Sequence, residues 1–274
     1  MKKKVIDPQM EIQNIVDDIR HYFVKNGNEN TKAIIGISGG KDSTIAAALL
    51  VRALGANRVV GVMMPEGEQK DIEDSLRVCE LLGIRSYKLD ILGATESLYK
   101  ALIPVRINCS NGTVPANVST NAPARIRMTM LYAVAALEGG RVINTGNASE
   151  LYVGYTTKYG DLAGDYAVLR NYYVREVLAI GDGLEELPTD LVHKAPGDGM
   201  SGKTDEDNMG FTYEELDAYL LDEVTPSYET LRNISERHKR NLHKRDILIQ
   251  APRPVSRHID GNPFHTYEEA PFDF

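Results

Sequence analysis

The stretch Ile34-Ile35-Gly36-Ile37-Ser38-Gly39-Gly40-Lys41-Asp42-Ser43-Thr44 constrains this chain more than any other. An apolar run leads into it, and the small-residue run Ala46-Ala47-Ala48-Leu49-Leu50 leads away. That pattern predicts strand, tight loop and helix in succession. Glycines at 36, 39 and 40 let the backbone approach an anion and offer it N–H groups. The start of the following helix adds donors and the positive end of its dipole. The stretch therefore reads as a phosphate-binding loop. It is not a Walker A loop, because Lys41 is followed by Asp42 and Gly36 and Gly40 stand too close together. Nor does it match G-x-G-x-x-G. An acidic residue inside an anion loop repels phosphate unless a cation lies between them, so Asp42 implies Mg²⁺. The plain structural alternative is a glycine turn with Asp42 as a helix cap.

The rest of the chain repeats the alternation. Residues 9–25 carry Met10, Ile12, Ile15, Val16, Ile19, Tyr22 and Phe23 at helical spacing, an amphipathic helix stopped by Asn26-Gly27-Asn28. A strand is predicted over 58–64, a helix over 71–82 closed by Gly83, and a strand over 84–89. Residues 104–122 show no periodicity and read as a long polar loop, then a helix over 124–137 leads to a strand over 141–145. Residues 156–161 and 196–210 read as polar loops. Thr212 and Glu215 form a capping box for a helix over 212–221, and a basic helix is predicted over 228–245. Strands alternating with helices imply an α/β fold, a doubly wound parallel sheet flanked by helices, with the N- and C-terminal helices packed on it. Ligands of such sheets bind at the carboxyl ends of the strands, where the loop at 38–43 lies.

Composition narrows the partners. The chain of 274 residues is expected to form one domain over 1–274, with a polar tail from roughly 251. Its net charge of −8 lacks the basic surplus usual in nucleic-acid binders. Polyanionic nucleotides would then depend on local cations and metal. The two cysteines, Cys79 and Cys109, form neither a C-x-x-C nor a metal spacing, which fits a reducing cytoplasm. No signal peptide and no run long enough to span a membrane is present.

The loop Ser-Gly-Gly-Lys-Asp-Ser resembles that of the ATP pyrophosphatases, which cleave ATP between the α and β phosphates. Three further stretches resemble one branch of them, NAD synthetase. These are Asn121-Ala122-Pro123-Ala124-Arg125-Ile126-Arg127-Met128, then Asn144-Thr145-Gly146-Asn147-Ala148-Ser149-Glu150 continuing through 154–161, then Lys203-Thr204-Asp205-Glu206-Asp207 followed by Gly210-Phe211-Thr212-Tyr213. The resemblance covers roughly residues 9 to 250. It implies that Gly36, Ile37, Ser38, Gly39, Gly40, Lys41, Asp42, Ser43 and Thr145 bind ATP. It implies that Asp42 and Glu150 hold Mg²⁺. Arg125, Lys158, Asp165, His243 and Lys244 match contacts to nicotinic acid adenine dinucleotide, with His238-Lys239-Arg240 a second copy of the His-Lys-Arg tripeptide. As plain residues, Glu150 would be surface and 238–245 a solvated helix face. Cations at 125 and 127 oppose a helix dipole, so an anionic ligand accounts for them better. Two positions depart from the family. Val174 stands where a lysine is frequent and Gly197 where Ser or Thr is frequent; Arg170, Arg175, Lys41 and Lys203 are candidate compensators.

The implied reaction is a two-step amidation. The nicotinate carboxylate attacks the α-phosphate of ATP, pyrophosphate leaves, ammonia attacks the acyl adenylate and AMP leaves. Lys41, Asp42 and Asp161 are the expected catalytic groups, with Asp161 or Asp165 binding ammonium. A glutaminase of the N-terminal nucleophile type needs Cys after the initiator Met, where this chain has Lys2, and no nitrilase-like domain fits ahead of residue 36, so free ammonia is the expected nitrogen source. The family is homodimeric, and both the apolar face of 9–25 and the loop 104–122 are candidate partner surfaces. A tRNA-modifying relative and a nucleotide-binding protein without turnover are the alternatives.

Overall fold

The computed structural model describes residues 6–68, 72–109, 113–194 and 204–245; Gly197, Lys203, the tail from 251 and the Cys109 side chain lie outside them. Helix α1 (Pro8–Lys25) starts on the Asp7 carboxylate, which accepts from the N–H groups of Gln9 and Met10, with Pro8 pre-set in its first turn. The chain continues through β1 (Lys32–Gly36), α2 (Lys41–Leu54), β2 (Val59–Met63), α3 (Ile72–Leu81) and β3 (Arg85–Lys88). It then runs through α4 (Leu92–Ala101), α5 (Ile103–Cys109), α6 (Ala116–Glu138), β4 (Gly140–Asn144), α7 (Ala148–Val153) and β5 (Tyr166–Ala167). Helices α8 (Val174–Asp182), α9 (Thr189–Val192), α10 (Asp205–Met209), α11 (Tyr213–Leu220) and α12 (Tyr228–Arg240) follow, then a 3₁₀ turn over Leu242–Lys244.

The sheet has five strands in the order β3-β2-β1-β4-β5, parallel throughout. Alternation along β1 sends Ala33 and Ile35 to one face and Ile34 to the other. The first face is covered by α1, α2, α3, α8 and α9, the second by α6. A third apolar cluster joins Val153, Val174, Met209, Phe211, Leu216 and Ile234, and so docks the C-terminal helices beside α7. The strand order reverses between β1 and β4, a topological switch point where a crevice opens beyond the strand ends.

Three expectations are corrected here. Most of the polar stretch 104–122 is helical, not loop: α5 covers its start, and α6 begins at Ala116 and runs through Pro123. Side chains stand in for periodicity there. Ser119 and Thr120 hydroxyls donate to the Ala116 carbonyl and the Asn121 amide to Asn117, so the polar residues bond the helix they sit on. The apolar face of α1 is not a partner surface either, because Ile12, Ile15, Val16, Ile19 and Phe23 are buried in the chain's own core. The basic C-terminal helix also ends earlier than expected, at Arg240.

Glu138, the last residue of α6, gathers the opposite ends of the strands. It accepts from Lys32 Nζ at 2.6 Å, from Arg85 and from the Tyr87 hydroxyl. The Lys32 and Tyr87 hydrogen bonds hold its carboxyl down to about 2. A depressed carboxylate contributes stability above its unfolded pKa, about 4.3, and loses it as the pH falls through the folded value. Glu138→Gln should therefore cost about 1–2 kcal/mol at neutral pH. In urea unfolding, the gap to wild type should narrow between pH 5 and pH 3; a gap that stays constant over that range contradicts the assignment.

Candidate active site

The floor of the crevice is the turn from β1 into α2. Gly39 holds φ +73, a left-handed conformation that favours glycine. Ser43 and Thr44 hydroxyls donate to the Gly40 carbonyl at 3.1 and 2.9 Å, and the Gly40 N–H donates to Ser38 Oγ at 3.3 Å. Gly40 caps α2 without a side-chain bond, so the first N–H groups of the helix stay available to a ligand.

Lys41 and Asp42 open α2. Lys41 is 5 % exposed, with Nζ 2.8 Å from Asp42 Oδ2 and 5.6 Å from the Tyr213 ring centroid. Glu150 comes in from α7, beyond the end of β4. Asn147 and Glu150 form a capping box there, and the Asn147 amide also donates to Asp42 Oδ1 at 3.1 Å. The capping box thus ties the two carboxylates to one point. Burial and then the Asp42 charge push the Glu150 carboxyl up, against Lys41. Burial pulls the Lys41 ammonium down, but Asp42, Glu150 and Asp205 outweigh it and leave it raised. Two half-buried carboxylates converge on a single buried lysine, a charge set that a divalent cation completes. Mg²⁺ is usually held by one or two carboxylates plus substrate phosphates, so Asp42 and Glu150 fit it.

Around this floor lies a cleft of about 1230 Å³. Its lining includes Gly36, Ile37, Ser38, Gly40, Ser43, Thr145, Asp161 and Lys244, as expected. Asp161 opens onto the cleft, but the protein enclosing it pushes its carboxyl up by desolvation, while the Thr157 N–H and Lys244 hold against that. Met64, Leu92, Met128 and Leu131 make one side apolar. Arg127 lies at that side, its Nε–H donating to the Met64 carbonyl at 2.9 Å.

Other expected residues fall outside this cleft. Asp165 sits at the sheet edge: its carboxylate accepts from the Val142 N–H at 2.7 Å and from the Tyr132 hydroxyl at 3.2 Å, so it braces β4. Arg125, Lys158 and His243 lie at the rim. Arg125 Nε–H donates to the Lys158 carbonyl at 3.2 Å, and Lys158 Nζ to the His243 carbonyl at 2.7 Å. Arg125 also lines a second hollow with Leu98, Leu102, Val118 and Ile126, which shares Asn121 with the main cleft. Of the two His-Lys-Arg copies, His238 packs on Tyr152, whereas Lys244 lines the cleft and donates to the Gly154 and Thr156 carbonyls. Val174 is buried in the third cluster, and Arg175 pairs with Glu223, so neither faces the cleft. Arg170 does not line it either.

Sequence reasoning gave no role to Asn147, Asp205, Tyr213 and Arg237, and named Arg240 only within the second His-Lys-Arg copy. Their signal was positional: Arg237 and Arg240 stand three apart on one helix face, and Asp205 opens a capped turn.

A family model described as NAD synthase matches residues 11–248. The chain is 33% identical over 255 residues to the NH(3)-dependent NAD(+) synthetase of Pyrococcus furiosus, covering 88% of this chain and 95% of that one. Among solved structures, NMN synthetase from Francisella tularensis superposes with TM-score 0.80 at 34% identity, covering 90% of this chain and 99% of that one. NH3-dependent NAD synthetase from Campylobacter jejuni, in complex with the nitrate ion, gives TM-score 0.71 at 28% identity, covering 90% and 100%.

Proposed function

Since the chain belongs to the NAD synthase family, we propose that it amidates nicotinic acid adenine dinucleotide to NAD with ATP and free ammonia. The observation that carries this is the convergence of Asp42, Glu150 and Lys41 beneath the amides of the glycine loop. A carboxylate oxygen of the nicotinate attacks the α-phosphorus, and the bond to the bridging oxygen breaks. Pyrophosphate leaves with that electron pair. Ammonia then adds to the acyl adenylate carbonyl, a proton is lost, and AMP leaves with the carboxyl oxygen.

No covalent nucleophile is needed; positioning and charge stabilisation suffice. Loop amides, Ser38 and Ser43 cradle the phosphates, and Lys41 neutralises the developing charge. Asp42 and Glu150 would hold Mg²⁺, which supplies the countercharge to the phosphate oxygens. Thr145 contacts ATP at the end of β4. Asp161 binds ammonium and takes its proton, a task that a desolvated carboxylate favours. The whole chain works as one domain in the cytoplasm; among the described residues no helix is long and apolar enough to cross a membrane.

The rim residues Arg125, Lys158 and His243, with Lys244 of the cleft wall, receive the dinucleotide as it leaves the cleft. A second copy of the chain completes this side. Leu98, Ile103, Val105, Ile107 and Tyr132 are exposed along α4, α5 and α6, beside the Arg125 hollow, and supply an apolar surface for a homodimer. Asp165, bonded to Tyr132, lies on that side and serves the dinucleotide from there.

The similarity to NMN synthetase favours one second reading, in which the mononucleotide carboxylate is the acceptor. Both acceptors belong in one assay, with Mg·ATP and either ammonium or glutamine. We expect NAD from the dinucleotide with ammonium only, with one AMP and one pyrophosphate per turnover. Faster amidation of the mononucleotide selects the second reading. Absence of AMP and pyrophosphate with both acceptors overturns the reaction class.

A further inference from the structure

The α12 side of the cleft gathers positive charge. Arg237 and Arg240 of α12 and Lys244 after it all line the cleft. Arg237 is tethered by one N–H to the Asn208 carbonyl. Arg240 is exposed and makes no side-chain hydrogen bond or ion pair among the described residues. Burial and then Arg240 pull the Arg237 guanidinium down. Burial pulls Lys244 down, Asp161 opposes that, and Arg237, Arg240 and Arg125 add to the lowering. Like charges gathered on a partly desolvated wall are costly unless an anion joins them. On the same wall the Thr156 hydroxyl is sealed by protein and has no partner.

The position of this wall selects the anion. Asp205 begins α10 and acts on both Lys41 and Tyr213, so that end of α10 adjoins the phosphate loop. Asn208, about one helical turn further along α10, holds Arg237. A chain of phosphates that begins on the loop over 38–43 therefore reaches α12 as it extends outward. The nearest cation, Lys41, shares its charge with Asp42, and Arg175 is turned away to Glu223, so the outer phosphates call for further cations. We propose that Arg237 and Arg240 bind the outer phosphates of the nucleoside triphosphate, the pyrophosphate leaving group. The inference rests on the reading that a triphosphate occupies this cleft. In the step, the electron pair of the broken phosphorus–oxygen bond ends on the pyrophosphate oxygen, where these guanidinium groups neutralise it.

Equilibrium binding tests this without turnover. Titration calorimetry with Mg·pyrophosphate, Mg·ATP, AMP and nicotinic acid adenine dinucleotide is run on wild type, Arg240→Gln and Arg240→Lys. Arg240 supports no neighbour by its side chain, so its variants fold even if Arg237→Gln does not. Arg240→Gln should weaken Mg·pyrophosphate and Mg·ATP about tenfold each, the loss of one charged contact. AMP and the dinucleotide should stay within about twofold, and Arg240→Lys should recover most of the loss. Unchanged pyrophosphate affinity in Arg240→Gln overturns the proposal, as does a loss confined to AMP or the dinucleotide. If wild type forms no NAD while pyrophosphate and ATP respond as stated, the phosphate assignment stands and the acceptor reading falls.

Discussion

Asp42→Asn should lower kcat/KM for NAD formation about 10³-fold, with the fold intact. The carboxylate stands at the start of α2, where the helix dipole favours negative charge, and a phosphate bound at the same amides then requires a cation between the two. Asn keeps the shape, and its carbonyl still accepts from the Asn147 amide. The change therefore removes charge while leaving the contact with α7. What is lost is half of the carboxylate pair, and with it the partner of the buried Lys41 ammonium. Glu150→Gln should fall into the same range, because its capping-box bond to the Asn147 N–H survives in the amide. If both carboxylates serve one ion, the double variant should be little worse than either single one. The Mg²⁺ concentration for half-maximal rate separates this from a general loss of activity, and should rise in each single variant. An Asp42→Asn protein within tenfold of wild type, with unchanged Mg²⁺ dependence, removes the paired-carboxylate site.

That site was legible because its parts are local. The loop, the capping box and the helix start are each read from a few neighbouring residues, so sequence pattern reaches them. The sheet followed from the alternation of strand and helix runs in the same way. Residues 104–122 failed for a physical reason. A helix whose polar side chains bond its own carbonyls shows no apolar stripe, and Pro123 inside α6 looks like a stop. The α12 wall was illegible because nothing local places it. The helix reaches the cleft by packing against the end of α7, where Gly154 sits so close that a Cβ there would lie 2.2 Å from Asn241 Cβ. Spacing likewise put Val174 at a family position where a lysine is frequent, whereas its apolar side chain joins the cluster of Phe211 and Ile234. Asp165 shows the same limit: its motif position gives no sign that its carboxylate accepts from the Val142 N–H and the Tyr132 hydroxyl within this chain.

Asp217→Ala should cost about 3–5 kcal/mol in urea unfolding, the largest effect on stability expected from any site described here. Asp217 is fully buried on α11. Its Oδ1 accepts from Ser149 Oγ at 2.5 Å and its Oδ2 from the Arg175 N–H at 2.9 Å, while Ser149 Oγ itself accepts from the Val174 N–H at 3.1 Å. Burial pushes the carboxyl up, and the Ser149 and Arg175 bonds oppose it. Truncation strands a hydroxyl and an N–H away from water, so the penalty is desolvation of groups left behind rather than one lost bond. Asp217→Asn should cost less, about 2 kcal/mol, because the amide keeps one acceptor but turns a donor toward another donor. A cost below about 1 kcal/mol for Asp217→Ala contradicts the burial argument. The same bonds join the start of α8 and α11 to Ser149, the residue before Glu150. Any Asp217→Asn protein that remains folded should therefore need more Mg²⁺ for half-maximal rate. A brace of stability alone would leave that requirement unchanged, whereas a brace that also aims Glu150 moves both measurements together.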